Sequence, residues 1–361
     1  MHSETCPICD GPTIASAATI APFLVEHCKL ETAETLIRYC AACDFAFFDR
    51  RLTPEEVALL YCDYRGDDYN EQRLRLEPSY APYIPMFNDP LSDHYRGRIG
   101  DLLGALAALP EVRPSTILDF GGDGSIAARL FPAAEISHLD ASAGVALQRD
   151  RFDLILASQV FEHISDPREA MARVAAWLEE DGLLLLDLPR DYLGPLSEAL
   201  LWQERHGGPL TVMHEHINHF SARAIRRLLE AVGLAPVFEV ETPFLPSILT
   251  IAGRPGSELV RRLTEREPER RLQWTADRIR ERQAVDKALL AEQLTAAQLE
   301  VRTLAEQLTA AQMECETLSM QLAAARVALD DSLAAFAALR ASHSWRLTAP
   351  LRGVRRLIGG R

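Results

Sequence analysis

From Arg96 to Leu109 apolar side chains recur at Ile99, Leu102, Leu103 and Leu106, the spacing of one helical face, and Pro110 predicts where that helix stops. Four later runs have a different character. Ser115 to Phe120, Glu135 to Asp140, Phe152 to Ala157 and Gly182 to Leu188 are short and rich in apolar residues, and segments of helical spacing alternate with them. The last run is apolar without alternation, as expected of a parallel strand buried on both faces. Strand and helix in this order predict an α/β doubly wound sheet over residues 96–254.

The pattern changes on either side of this region. Residues 1–60 hold two Cys-x-x-Cys pairs and little periodic structure, and read as a small module. Residues 61–95 are rich in Tyr, Arg and Pro, which rule out one continuous helix and predict a connecting segment that wraps over a neighbour. After Arg254 Gly and Pro almost vanish, and AEQLTAAQLEVRTL at 291–304 returns as AEQLTAAQMECETL at 305–318. Leu294, Val301, Leu308, Cys315, Leu322 and Leu329 occupy one seam position, and Leu290, Ala297, Leu304, Ala311, Leu318 and Ala325 the other. Residues 255–341 therefore predict a coiled coil. Its seven or so heptads would run about 75 Å at ~1.5 Å per residue; the alternative is one helix folded back on the sheet domain. Residues 342–361 contain five arginines and no acid, with Trp345, Leu347, Leu351, Val354 and Ile358 near helical spacing. This basic, amphipathic ending suits an anionic membrane surface or stands as a solvated tail.

Composition narrows the classes. The 361 residues are 48% apolar, ample for a sizeable core, and the formal net charge of -14 argues against nucleic acid as a partner, since phosphate binding needs a basic face. No run of eighteen apolar residues occurs, and MHSETCPICD lacks the basic and apolar regions of a signal peptide. The expectation is a cytoplasmic protein, with peripheral contact at the inner membrane face through the tail. Five of the seven cysteines lie within the first 43 residues, which fits a metal site in a reducing compartment.

Three constellations carry chemistry. Cys6-Pro-Ile-Cys9 and Cys40-Ala-Ala-Cys43 each put two thiolates on a tight turn, and together they complete a tetrahedral, closed and hence structural Zn²⁺ shell. Unpaired structural cysteines are the alternative, and Cys28 could replace one ligand. In ILDFGGDGS, Ile117 and Leu118 end a strand, Asp119 closes it, and Gly121, Gly122 and Gly124 let the backbone turn beside a ligand. Asp140, twenty-one residues past Asp119 at the end of EISHLD, is placed to accept the hydroxyl protons of a ribose. In MHEHINHF, His214, Glu215, His216 and His219 precede a helix that Ser221 can cap. This cluster could supply a general base, could bind a metal, or could be packing.

The ordered series ILDFGGDGS, EISHLD, FDLILASQVFEHISDP and DGLLLLDLP resembles the class I S-adenosylmethionine-dependent methyltransferases over about Arg96 to Ile251. The resemblance implies a Rossmann-like sheet, S-adenosylmethionine as cofactor, and cofactor contacts from Asp119, Gly121, Gly122, Asp123, Asp140, Ser158, Glu162 and His163; a structural role for His163 stays open. Asp123 and Ser125 stand where that family carries glycines. Only eleven residues separate Asp140 from Phe152, where many relatives have a helix and another strand. With the cysteine module ahead of it and the histidine cluster after it, the chain also resembles the sugar C-methyltransferases of deoxysugar pathways, in which a Tyr-x-Glu-His segment supplies the base. Glu215 and His216 match, and Met213 stands at the tyrosine. The implied base is His216, with Glu215 and His214 beside it. That family continues into a further α/β domain, whereas this chain turns into the heptads. The SWRLTAPLR wording resembles tails of bacterial enzymes of cell-surface polysaccharide assembly.

The expected function is methylation, at carbon or oxygen, of a sugar or glycan acceptor in surface-polysaccharide or deoxysugar biosynthesis, by a homo-oligomer joined through its coiled coil. A second reading is a non-catalytic coiled-coil scaffold on a degenerate methyltransferase fold, suggested by Asp123, Ser125 and the shortened stretch after Asp140.

Overall fold

A computed structural model describes residues 4–89, 91–139, 147, 149–190, 212–242 and 247–348. It falls into two compact units, 1–283 and 284–361. In chain order the strands are β1 (Ile14–Ile20), β2 (Glu34–Cys40), β3 (Phe45–Phe48), β4 (Thr116–Phe120), β5 (Glu135–Leu139), β6 (Phe152–Ser158), β7 (Leu178–Pro189), β8 (Val212–Met213), β9 (Asn218–Phe220), β10 (Ala235–Glu241) and β11 (Ser247–Gly253). The α-helices are α1 (Pro22–His27), α2 (Pro54–Leu60), α3 (Asp67–Leu76), α4 (Tyr83–Asn88), α5 (Asp93–Ala107), α6 (Ser125–Leu130), α7 (Pro167–Ala176), α8 (Ala222–Glu230), α9 (Glu258–Glu265), α10 (Glu267–Ala341) and α11 (His343–Leu347).

The larger sheet of the first unit has the order β10-β11-β7-β6-β4-β5. β5, β4, β6 and β7 run parallel, while β11 and β10 close the other edge antiparallel. The direction of winding reverses at β4, so the carboxyl ends of β4 and β6 flank the crevice where ligands bind in open α/β sheets. All four expected strands are present, and β7 extends further than expected at both ends. Its Leu183, Leu184, Leu185, Leu186 and Leu188 are fully buried, because α7 and α8 lie on one side and α5 and α9 on the other. Each such side chain contributes about 1.5–3 kcal/mol by leaving water. Helix α8 buries Ala224, Ile225, Leu228 and Leu229, and the Ser221 hydroxyl caps it by accepting the Ala224 N–H at 3.1 Å.

Residues 1–60 are more regular than their sequence suggests. β1, β2 and β3 form an antiparallel sheet whose two edges are completed by β8, parallel to β1, and β9, antiparallel to β3. The histidine-rich segment 212–220 is thus bound to both edges of the amino-terminal sheet. Cys6, Ile8, Cys40, Cys43, Phe45 and Phe47 share one hydrophobic core with Leu118, Phe120, Ile155, Leu184 and Leu186 of the larger sheet. The connecting segment supplies α3 and α4 and no continuous helix.

The compact unit also runs on past Arg254. Val260 and Leu263 of α9 and Trp274 of α10 are buried against Val237, Phe238 and Leu249. Arg278 forms a buried 2.5 Å ion pair with Asp101 of α5. From Ala284 onward α10 belongs to the second unit. There Leu290, Leu294, Val301, Leu304, Leu308, Leu318, Leu322 and Leu329 are all more than half exposed, so both seam positions of the heptads are without cover in the single chain. Among the described residues no helix is long and apolar enough to cross a membrane.

Candidate active site

The Gly-rich turn lies at the carboxyl end of β4. Gly121 has φ +82° and its N–H donates to the Leu139 carbonyl at 2.7 Å; a side chain there would meet the Val160 methyls at 2.6 Å. Gly124 has φ +84° and caps α6. Both positions need a residue free to enter the left-handed region. Asp119 is buried, and its carboxylate accepts the Gly124 N–H at 2.9 Å, so the first acid of the motif holds the turn closed. Burial raises its pKa, and the Gly124 N–H opposes the rise. The two departures from the glycine pattern are accommodated locally: Asp123 Oδ1 accepts the Ser125 N–H at 2.9 Å in the first turn of α6. Asp140 lies outside the described residues, immediately after β5.

The next strand ends place the expected Ser158 beside two groups that the sequence reading passed over, Asp187 and Arg98. Ser158, the last residue of β6, donates its hydroxyl to Asp187 Oδ2 of β7 at 2.7 Å. Arg98 of α5 reaches both, with Nε 3.2 Å from Ser158 Oγ and 3.1 Å from Asp187 Oδ2. The signal for Asp187 was an acid within an otherwise apolar strand; Arg98 showed only as a polar residue on the helix that carries Ile99 and Leu102. Gln159 follows with φ +59°, a left-handed conformation unusual for a residue with a side chain.

Glu162 and His163 sit in a short 3₁₀ turn after β6, against the 214–218 segment. The Ile217 N–H donates to the Glu162 carbonyl at 2.8 Å, and Asn218 donates through Nδ2 to the carbonyls of Phe161 (2.9 Å) and Ile164 (2.7 Å). His163 donates Nδ1–H to the Glu215 carbonyl at 2.9 Å, and its ring meets His216 edge to face at 4.8 Å. Nε2 of His163 lies 3.7 Å from Glu162 Oε1. Ligating atoms of Glu162, His163 and His216 all fall within 4.8 Å of one another. Glu162 is 1% exposed, and burial pushes its pKa up to about 7 although the nearby His216 opposes the rise; burial, then the charge of His216, pushes His163 down to about 3. Tyr61 borders the cluster, its ring 6.2 Å from that of His163 and 4.9 Å from that of Tyr64.

The other members of the histidine segment are placed differently. Glu215 is ion-paired with Arg73 of α3 and accepts the Tyr69 hydroxyl at 2.8 Å. Burial alone would raise its pKa, but the Arg73 guanidinium and these hydrogen bonds hold it at about 2. It is a fixed anion that anchors the loop. His214 is 44% exposed, with Nδ1 3.8 Å from Glu77 Oε2. His219 lies in β9 and packs edge-on to Phe48, so it belongs to the amino-terminal sheet. The structure therefore brings His216 together with Glu162 and His163, while the Glu215 carboxylate is engaged by Arg73 and Tyr69, and His214 and His219 pack against other partners.

The sulfurs of Cys6, Cys9, Cys40 and Cys43 converge within 4.8 Å of one another, with Cys9 and Cys40 3.7 Å apart. Thiolates about 2.3 Å from a tetrahedral ion stand roughly 3.8 Å from each other, so the donor set and spacing fit zinc. Cys28 is buried elsewhere, among Phe23, Leu24 and Tyr69.

Residues 92–239 match the family model described as a methyltransferase domain. That match agrees with the strand order and the Gly-rich turn, which together form a Rossmann-like sheet. No curated protein matches the chain. Among solved structures, the mitomycin 7-O-methyltransferase is 19% identical with a TM-score of 0.33, over 51% of this chain and 60% of that one; this chain thus spans less than two thirds of its length. A 1,6-didemethyltoxoflavin-N1-methyltransferase of Burkholderia thailandensis, solved with S-adenosylhomocysteine, is 17% identical with a TM-score of 0.38, over 61% of this chain and 95% of that one. A TehB-like S-adenosylmethionine-dependent methyltransferase of Corynebacterium glutamicum is 18% identical with a TM-score of 0.30, over 49% of this chain and 97% of that one.

Proposed function

We propose that the chain transfers the methyl group of S-adenosylmethionine to a sugar or glycan acceptor. The observation that carries this reading is the Asp119–Gly124 turn at the point where the sheet order reverses, together with a buried acid and two imidazoles clustered where the chain leaves the neighbouring strand β6. The turn and Ser158 border the cofactor, and Asp140 holds its ribose. The sulfonium already activates the methyl group, so the protein's work is to align the acceptor in line and draw off its proton. That second task falls to the Glu162, His163 and His216 cluster, in which His216 is the base that the sequence resemblance implies. Four thiolates around one structural Zn²⁺ tie the amino-terminal sheet together. The exposed heptad seam pairs with the same seam of a second chain, since a lone helix leaves these leucines in water.

Calorimetric titration of the full chain with S-adenosylhomocysteine tests the reading. Binding in the micromolar range is expected, weakened at least tenfold in Asp119→Ala because the turn loses the carboxylate that closes it. No heat at millimolar ligand would favour the non-catalytic scaffold.

A further inference from the structure

Among the described residues, Glu162 is a buried acid with both carboxylate oxygens lacking a hydrogen-bond partner. It is 1% exposed. A buried carboxylate without donors costs several kcal/mol unless something positive or protic faces it. What faces it is His163 Nε2, at 3.7 Å. Because His163 Nδ1–H is spent on the Glu215 carbonyl, Nε2 of the neutral ring carries a lone pair. Glu162 Oε1 and His163 Nε2 thus stand near each other at a separation longer than a hydrogen bond.

We propose that Glu162, His163 and His216 bind one divalent first-row transition-metal ion, separate from the four-cysteine site. Oxygen and imidazole ligands stand about 2.0–2.2 Å from such an ion, so a 3.7 Å separation of Glu162 Oε1 and His163 Nε2 corresponds to an angle of roughly 120° at the metal. The third ligand, His216, has a ligating atom within 4.8 Å of both, so seating the ion takes a side-chain adjustment towards it. The hydrogen bond from His163 Nδ1 to a backbone carbonyl is the outer-shell contact that fixes the tautomer of metal-bound imidazoles. Arg73 and Tyr69, by pinning Glu215, hold that carbonyl in place.

The ligand count separates the two metal sites. Four thiolates close a shell, whereas two imidazoles and one carboxylate leave positions open for a hydroxyl-bearing acceptor or water. The site therefore deepens the methyltransferase reading, on which its role rests: with the ion seated, His216 serves as a ligand in place of a base, the ion lowers the pKa of a bound acceptor hydroxyl, and that proton passes to solvent water as the oxygen takes the methyl group and S-adenosylhomocysteine leaves. Mn²⁺ is the suitable probe, because it is paramagnetic and thiolates discriminate against it.

Zinc-loaded full-length protein is titrated with Mn²⁺ and followed by electron paramagnetic resonance. One Mn²⁺ per chain is expected, with binding weakened at least tenfold in Glu162→Gln and in His163→Gln. Pulsed measurement on the wild type should detect coupling to imidazole nitrogen, which keeps the test decisive if the variants do not fold. Absence of a stoichiometric Mn²⁺ site, binding without nitrogen coupling, or affinity unchanged in folded variants would each overturn the assignment. S-adenosylhomocysteine titration of the same samples separates the two readings: cofactor binding without Mn²⁺ removes the ion and leaves His216 as base, while Mn²⁺ binding without cofactor removes the methyltransferase reading and leaves the metal.

Discussion

Replacing Arg73 by Met should destabilise the first unit by about 3–5 kcal/mol, the usual result of removing one partner from a buried ion pair. The structure locates that cost. The side chains of Arg73 and Glu215 are 6% and 12% exposed, the guanidinium grips both carboxylate oxygens, and it lies 3.9 Å above the Tyr80 ring. Without it Glu215 keeps the Tyr69 hydroxyl but has lost its counter-charge. The depression of Glu215 from its ordinary 4.5 to about 2 agrees with the lower end of that range, at about 1.4 kcal/mol per pH unit. A depressed carboxyl stabilises the fold fully above its unfolded pKa and loses that contribution as pH falls through the folded one. The gap between wild type and variant should therefore be widest above pH 5 and shrink as pH falls towards 2. Thermal unfolding at pH 7 should show a drop of roughly 6–20 °C for a unit of this size. The double variant Arg73→Met, Glu215→Gln should recover most of it, because the stranded charge is gone. A single variant within 1 kcal/mol of wild type at pH 7 would refute the argument that this pair holds the loop.

Cys40→Ser should lose bound zinc, read by elemental analysis, and should also lower the melting temperature of the whole first unit, because the cysteines share the core of the larger sheet; full zinc occupancy in the variant would defeat the four-thiolate assignment. Ending the chain after Gln283 should leave a folded monomer that binds S-adenosylhomocysteine, since the unit is complete there, whereas ending it after Arg254 should unfold it by removing Val260, Leu263, Trp274 and the Arg278 partner of Asp101. Sedimentation showing the same oligomer with and without residues 284–361 would count against pairing through the seam.

The parallel strands, the Gly-rich turn and the long helix were legible in the sequence because each depends on local rules: continuous apolar runs, glycines where φ must be positive, and a seven-residue repeat. The cysteine pairs were legible too, since their spacing is dictated by the turn that holds them. In contrast, the strands of residues 14–48 were missed, because their edges are completed by residues 212–220 and no local pattern reveals a partner so distant along the chain. The end of the compact unit was placed at Arg254 where composition changes, yet helical composition continues unbroken while Trp274 and Arg278 remain buried.

The histidine segment shows where the division falls. Its residues announced acid–base or metal chemistry by type alone, but His214, Glu215, His216 and His219 look equivalent when read in a line. Only folding distinguishes them. Attachment of β8 and β9 to opposite edges of one sheet turns Glu215 towards Arg73, sends His219 into the sheet and leaves His216 facing Glu162 and His163. Residue type is a property of the sequence, while proximity, burial and the charge that burial permits arise only when segments some fifty residues apart close on one another.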